Sequence, residues 1–391
     1  MQSVGRNSAE HLAFERQLLT SHRMRVRVKL QDLDGEELAD LTAQLLDGQV
    51  NIDASAEVTR SAELTLDDPE HALHLDSDAP AEGGLFLDRM VQVFYGVLVE
   101  ELGRWVEVSI FRGPVVGMER DGDSISLSCL GKEHLAKGAT WRPLTLRKGM
   151  DTVAAIKTIL RERAGEEDFS FPARGGKLDD QLSLGRLTQP WSTAQELARS
   201  INRQLFYDGA GVCQLRRAPK SNAWTFRDGD GGSVLTPPEV SYDLSSVRNL
   251  VWVRGKKAKG KPQVSATATP SGSHPLSAQR LGRKITQGGK EVRVPRYLVE
   301  VVENDKVRSK KDARRIASSR LQSLLREGVE VSFDSLPIPH LDPFDPVRLA
   351  TSEVSLSFTL LQASIPLVHS GVMSVGTNKR VTPNRKRIRS R

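Results

Sequence analysis

Residues Trp105–Leu135 read WVEVSIFRGPVVGMERDGDSISLSCLGKEHL. Apolar residues recur at every second position, at Val106, Val108 and Ile110 and again at Ile125, Leu127 and Cys129. A period of two puts each set on one face of a β-strand. Val115 and Val116 lead into Asp121-Gly122, a pair that predicts a tight hairpin turn because such turns need positive φ.

Working outward from this stretch, the same pattern appears upstream. Met24, Val26, Val28 and Leu30 alternate with Arg25, Arg27 and Lys29. Val50 and Ile52, then Val58, Ala62, Leu64 and Leu66, form a looser set, and Met90–Val99 is a further run. Five or six short strands with polar turns predict a small antiparallel barrel or sandwich over residues 24–137. Residues 1–23 read as an arm with a short helical stretch and no mark of a site.

Downstream, residues 138–243 read as a mixed α/β module. Asp151 is placed to cap a helix carrying Val153, Ile156 and Leu160 on one face, and Ser192 with Gln195 forms a capping-box pattern before Leu197, Ile201 and Leu205. LFYDGAGVCQLRR predicts strand, turn, strand. Residues 244–377 read as a second β-rich domain with one helix. Strands are predicted at Leu250–Arg254, from Val264 and at Leu298–Val302, and a long mobile loop at 270–290. Ser309 caps a helix with Ala313, Ile316, Ala317, Leu321 and Leu324 on one face, ended by Gly328. Val329–Phe333, Val347–Leu349 and Leu356–Leu360 complete the strand-rich unit.

The chain has 391 residues, with 56 Lys and Arg against 49 Asp and Glu. Seven of the basic residues, Lys379, Arg380, Arg385, Lys386, Arg387, Arg389 and Arg391, lie in the last fourteen positions with no acid among them. Without those seven the body carries 49 of each sign and is formally neutral. A nucleic-acid-binding domain usually carries its excess positive charge on the folded surface. The basic end, residues 378–391, is therefore a candidate electrostatic contact for an acidic protein surface or a nucleic acid. Two cysteines, Cys129 and Cys213, exclude a disulfide scaffold and a multi-cysteine zinc module and read as small buried side chains. No apolar run approaches the ~18 residues of a membrane span, and no secretory signal is expected.

Motifs that suggest chemistry fail on inspection. Gly255–Lys261 satisfies G-x-x-x-x-G-K, but Pro262 stands where a phosphate-binding loop needs Ser or Thr, and a strand-like run follows in place of a helix. A solvated hairpin loop is expected there. His71 and His74 sit near Asp67, Asp68, Asp76 and Asp78 without a closed ligand spacing, which predicts an exposed acidic loop. Asp228 and Asp230 resemble the start of a calcium loop that lacks its downstream Glu. Glu100-Glu101 and Glu166-Glu167-Asp168 read as solvated charge. No catalytic, cofactor-binding or metal-binding residue is therefore assigned, and no cofactor is expected.

The order of the segments resembles the bacteriophage tail-hub family, the baseplate hub and tail-tip hub proteins. SAELTLDD, MVQVFYG and the opening stretch resemble its first barrel. TVAAIKTILRERAG and STAQELARSINRQLFYDGAGVCQLRR resemble its middle module. SVRNLVWVRG, SKKDARRIASSRLQSLL and PIPHLDPFDPVRL resemble its second barrel. The likeness covers about residues 24–350 and implies a mainly β fold: two small antiparallel, tube-like β-barrels with a mixed α/β module between them. It implies a structural, non-enzymatic hub at the tail tip of the virion, made in the host cytoplasm. Such a hub is a homotrimeric ring that adapts a sixfold tail tube to a threefold tip and lets DNA pass. The implied partners are a tail-tube or distal tail protein, a tape-measure protein and a spike or fibre protein. Some members add a lytic domain, for which this chain has no spare length. Two other readings are a cell-wall-degrading tail enzyme, which calls for a pocket with two perturbed carboxylates or a metal, and a nucleic-acid binder acting through the basic end.

Overall fold

The computed structural model describes residues 1–71, 73, 89–138, 143–219, 221–242, 247–255, 262–304, 307, 309–327 and 329–377. Two compact units emerge, Met1–Pro238 with Ser332–Arg391, and Glu239–Val331. The fold is mainly β, with several sheets, few helices and a mixed α/β module, as the strand periodicity predicted.

The larger unit opens with helix α1 (Ser8–Leu18), whose first turn is capped by Asn7 accepting from the Glu10 N–H. Phe14 and Leu18 are fully buried, so the arm is part of the packed structure. Seven strands follow: β1 (Met24–Gln31), β2 (Glu37–Asp40), β3 (Leu45–Asp53), β4 (Arg60–Asp67), β5 (Met90–Val99), β6 (Arg104–Asp121) and β7 (Ser124–Leu130). They hydrogen-bond in the order β3-β4-β7-β6-β5-β1-β2. Beyond β3 the same sheet continues through residues 362–366 and 373–376 to 332–335. Strands separated by some 300 positions in sequence are therefore neighbours.

β6 is the pivot. Residues 104–114 pair with β5 and 115–121 with β7, and register shifts occur in both pairings. Bulges of this kind bend a strand and increase its twist. The alternating runs at 105–110 and 115–116 thus belong to one 18-residue strand, with Gly113-Pro114 where its partner changes from β5 to β7. A Cβ on Gly113 would lie 2.0 Å from the Leu130 carbonyl oxygen, so only glycine permits this approach. The hairpin turn lies where expected but one position later. Asp121 pairs with Ser124, so the connecting residues are Gly122, at φ +59°, and Asp123.

The α/β module carries helices α2 (Glu133–Lys137), α3 (Thr152–Ala164) and α4 (Pro190–Ser200) and the strand pair Gln204–Tyr207 and Cys213–Arg216. Asp151 caps α3 by accepting from the Val153 and Ala154 N–H groups. α4 departs from expectation: it begins at Pro190, which suits a first helical position, so Ser192 lies inside the first turn and donates to the Gln189 carbonyl. Trp191, Ile156, Leu160, Ala194, Tyr207 and Cys213 belong to the module's core.

In the smaller unit, strands Ser265–Ala268, Leu250–Arg254 and Val299–Glu303 form a sheet in that order. Val251, Val253 and Ala266 pack with Ala313, Ala317, Leu321 and Leu324 of the long helix Lys310–Glu327, whose first turn is capped by Ser309. Its expected end at Gly328 lies outside the described residues. Residues 270–290 are more structured than the loop the sequence predicted. Ala278–Leu281 is a helical turn capped by Ser277, and Arg283–Gln287 pairs with Lys290–Val294 across Gly288-Gly289, both at positive φ. Among the described residues, no helix is long and apolar enough to cross a membrane.

Candidate functional site

The main concentration of buried charge surrounds the loop Ile338–Asp345, within PIPHLDPFDPVRL. Loops normally run over the surface because their backbone polar groups need water. Here Ile338, His340, Leu341, Asp342 and Asp345 are buried, so protein groups must take the place of water. Arg60 of β4 donates from Nη2 to Asp342 Oδ1 at 2.9 Å and to the Leu341 carbonyl at 3.2 Å, and from Nη1 to the Ile110 carbonyl at 3.1 Å. Arg216 of the α/β module donates from Nη2 to Asp345 Oδ1 at 2.8 Å and to the Pro343 carbonyl at 3.1 Å, with its guanidinium over the Phe206 ring. Asp345 Oδ2 accepts from the Asp342 N–H, and the Met1 ammonium lies 2.5 Å from Asp345 Oδ2. Two guanidiniums on two parts of the fold thus hold one buried loop.

The sequence reading did not find this cluster, although it carried a signal. Arg60 is in phase with Ala62, Leu64 and Leu66, the inward-facing set of β4. A charge at a core position is rarely buried without a partner.

Next to the loop, His340 is fully buried and His11 and Glu15 lie one turn apart on α1. The Glu15 carboxylate is 3.4 Å from Nε2 of both histidines, a grouping that ligates metals elsewhere. The Val4 N–H donates to His11 Nδ1, which places the ring proton on Nε2, facing Glu15. A metal on that nitrogen would force two N–H groups to face each other. Burial lowers the His340 pKa, outweighing the neighbouring Glu15 carboxylate. The trio therefore reads as a His–Glu–His group in which the hydrogen bond between His340 and Glu15 seats α1 against the loop.

Two further buried carboxylates lie in the α/β module. Glu133 Oε1 accepts from Thr59 Oγ1 at 2.6 Å and from the Thr59 and Tyr207 N–H groups, and burial raises its pKa. Glu166 pairs with Lys132 at 2.9 Å and accepts from the Glu167 and Asp168 N–H groups. This corrects the reading of Glu166 as solvated charge: it is buried because Lys132 and two amides replace its water. A cleft of about 430 Å³ is lined by Glu57, Thr59, Arg199, Arg203 and Phe344, and one of about 410 Å³ by Leu12, Glu15, Leu19, Glu101 and Trp224. Neither lining includes Glu133 or Glu166. A carboxyl with a raised folded pKa loses stabilisation as pH climbs from its unfolded value through its folded one. Glu133→Gln keeps an acceptor for Thr59 and abolishes that loss. The variant is expected to unfold later than the parent at pH 8 and to lose the advantage near pH 4, as read by urea denaturation at the two values.

The basic residues 379–391, and His74, Asp76 and Asp78, lie outside the described residues. Asp68 accepts from Arg120 Nη2 at 2.6 Å, so an arginine occupies the place a cation would take beside His71. Of the G-x-x-x-x-G-K segment only Gly255 is described, and the strands flanking it pair antiparallel, which suits a hairpin. Asp228 accepts from the Ser352 N–H and Oγ, tying two loops together. Cys129 and Cys213 are buried free thiols, as expected.

No family model matches the chain, and no curated protein matches it. Solved structures do. The 43 kDa tail protein of prophage MuSo2 from Shewanella oneidensis superposes with a TM-score of 0.61 at 13% identity, covering 91% of this chain and 98% of that one. A tail protein from Neisseria meningitidis MC58 gives 0.58 at 10% identity, covering 90% and 97%. A prophage tail protein from Listeria monocytogenes EGD-e gives 0.53 at 10%, covering 90% and 95%. The likeness runs nearly end to end in all three, and the chain has the fold of phage tail proteins.

Proposed function

We propose that this chain, which has the fold of prophage tail proteins, is a structural hub of a phage tail. The observation that carries the reading is the end-to-end likeness to a 43 kDa tail protein, which extends through the α/β module as well as the sheets. In this role three copies form a ring at the tail tip. The ring adapts a sixfold tube to a threefold spike or fibre, contacts a distal tail protein and the tape-measure protein, and leaves a passage for DNA. The physical design suits load-bearing. Buried ion pairs join Arg60, Arg216 and the 338–345 loop across strands far apart in sequence, so force on one is shared by the others. A formally neutral body also suits a conduit for a polyanion, since a strongly basic wall would retain phosphates.

The test is localisation in the particle. A phage genome carrying this chain with an affinity tag is expected to give virions labelled by gold at the distal end of the tail, and disruption of the gene should abolish infectious particles. Label on the head, or infectious particles without the chain, would overturn the reading. Zymography of pure protein on cell-wall substrate is expected to show no clearing; robust clearing would favour a lytic enzyme.

A further inference from the structure

The cleft of about 430 Å³ beside α4 reaches the edge of a strand. Gln204 and Leu205 both line it, and neighbouring residues of a strand point to opposite faces, so a surface touched by both includes the edge. Gln204–Tyr207 pairs with Cys213–Arg216 on one side and ends its sheet on the other. Tyr207 and Cys213 are opposite each other, yet their N–H groups turn outward, to Glu133 Oε1 and the Asp168 carbonyl. Antiparallel pairs alternate in this respect, so Leu205, two positions away, turns its N–H and C=O outward as Tyr207 does. Glu133 meets the edge at Tyr207, and at Leu205 none of the described residues does. Leu205 is 5% exposed, and the neighbouring Gln204 Oε1 is buried without a hydrogen-bond partner. Polar groups that are paired in most buried places are thus left unmet at the cleft.

The lining also carries unbalanced positive charge. The Arg203 guanidinium is half-buried and has no partner among the described residues. Arg199 has a loose contact with Gln195 Oε1, at 3.5 Å. Glu57, the acid in the lining, is taken by Lys137 at 2.9 Å. Phe344 supplies an apolar wall and holds φ at +68°, an outlying value for an aromatic residue. Backbone strain of this kind clusters at ligand clamps.

We infer that this cleft binds an extended acidic segment of a partner protein. A polypeptide brings both an N–H and a C=O to Leu205, as a strand added to a sheet edge does. Its amides also suit Gln204 Oε1. Carboxylates on its side chains give Arg199 and Arg203 charge-assisted hydrogen bonds. A nucleic acid would answer the arginines and leave the strand edge bare. The inference goes beyond the hub reading and does not rest on it.

The experiment titrates the full-length protein with a fluorescein-labelled peptide of alternating Asp and Val, read by anisotropy. Saturable binding is expected, and a peptide with Lys in place of Asp should not bind. Arg203→Ala should weaken binding about tenfold or more, the loss of one hydrogen bond to a charged group, with the urea midpoint unchanged. Methylating the peptide's backbone nitrogens should weaken binding to the parent protein by a similar factor, and this arm does not depend on how the variant folds. Bound peptide should also slow hydrogen exchange at the Leu205 amide. No binding, binding indifferent to Arg203 or to N-methylation, or equal competition by an unlabelled oligothymidylate overturns the inference. The hub reading would stand in each case, since it is tested in the particle.

Discussion

In equilibrium urea unfolding, Arg60→Met is expected to lower the stability of the larger unit by about 3–5 kcal/mol, the range for a buried pair broken by removing one partner. Arg60 is 2% exposed and Asp342 3%. Methionine preserves much of the volume and none of the donors. It leaves the Asp342 carboxylate and the Leu341 and Ile110 carbonyls short of hydrogen bonds in a place water does not reach. Arg216 Nη1 at 3.5 Å and the Met1 ammonium at 3.3 Å stay beside Asp342 Oδ2, but Arg60 alone serves Oδ1, and Arg216 Nη2 is committed to Asp345 and Pro343. Adding Asp342→Leu to Arg60→Met should recover a large part of the loss, because exchanging a whole buried pair for apolar side chains is often neutral. Arg16→Ala, which breaks an exposed pair with Glu101, should change little. A loss below about 1 kcal/mol for Arg60→Met would mean that the loop is held by other contacts, and the load-sharing argument would fail with it.

What the sequence disclosed and what it hid follow from the range of the interactions. Strands and helices were legible because periodicity is local. β1, β4, β5 and β7 lie where alternation placed them, and the long helix buries the face that Ala313, Ala317, Leu321 and Leu324 marked. Tertiary context prevailed elsewhere. A bulge joined two runs into β6, and Pro190 moved the start of α4 ahead of Ser192. The hairpin at 283–294 escaped notice because RKITQ and KEVRV alternate weakly. The ionic cluster was the least legible part, since its members come from residues 60, 216 and 342–345, and no local rule pairs them. The phase of Arg60 in β4 was the sole local sign.

The same reasoning gives the second large effect, Trp191→Ala, expected to cost about 3–5 kcal/mol as aromatic truncations in cores do. Trp191 is fully buried in α4 and stacks on Tyr207 with ring centroids 5.4 Å apart. Its Nε1 donates to the Glu57 carbonyl at 3.1 Å, in the connection between β3 and β4. The indole therefore does two things. It fills the centre of the α/β module, and it ties that module to the main sheet through one hydrogen bond. Trp191→Phe separates them, since it keeps most of the packing and loses the donor; Glu57 is exposed, so water can replace the indole and a loss of about 0.5–1.5 kcal/mol is expected. The two variants should also differ under limited proteolysis. Trp191→Ala should expose cleavage sites within 144–216 while the main sheet persists, whereas Trp191→Phe should shift cleavage toward residues 54–59. If both variants unfold in a single step with the parent's cleavage pattern, the module and the sheet form one cooperative block. Rigidity would then come from the shared core, and the Glu57 tie would contribute nothing separable.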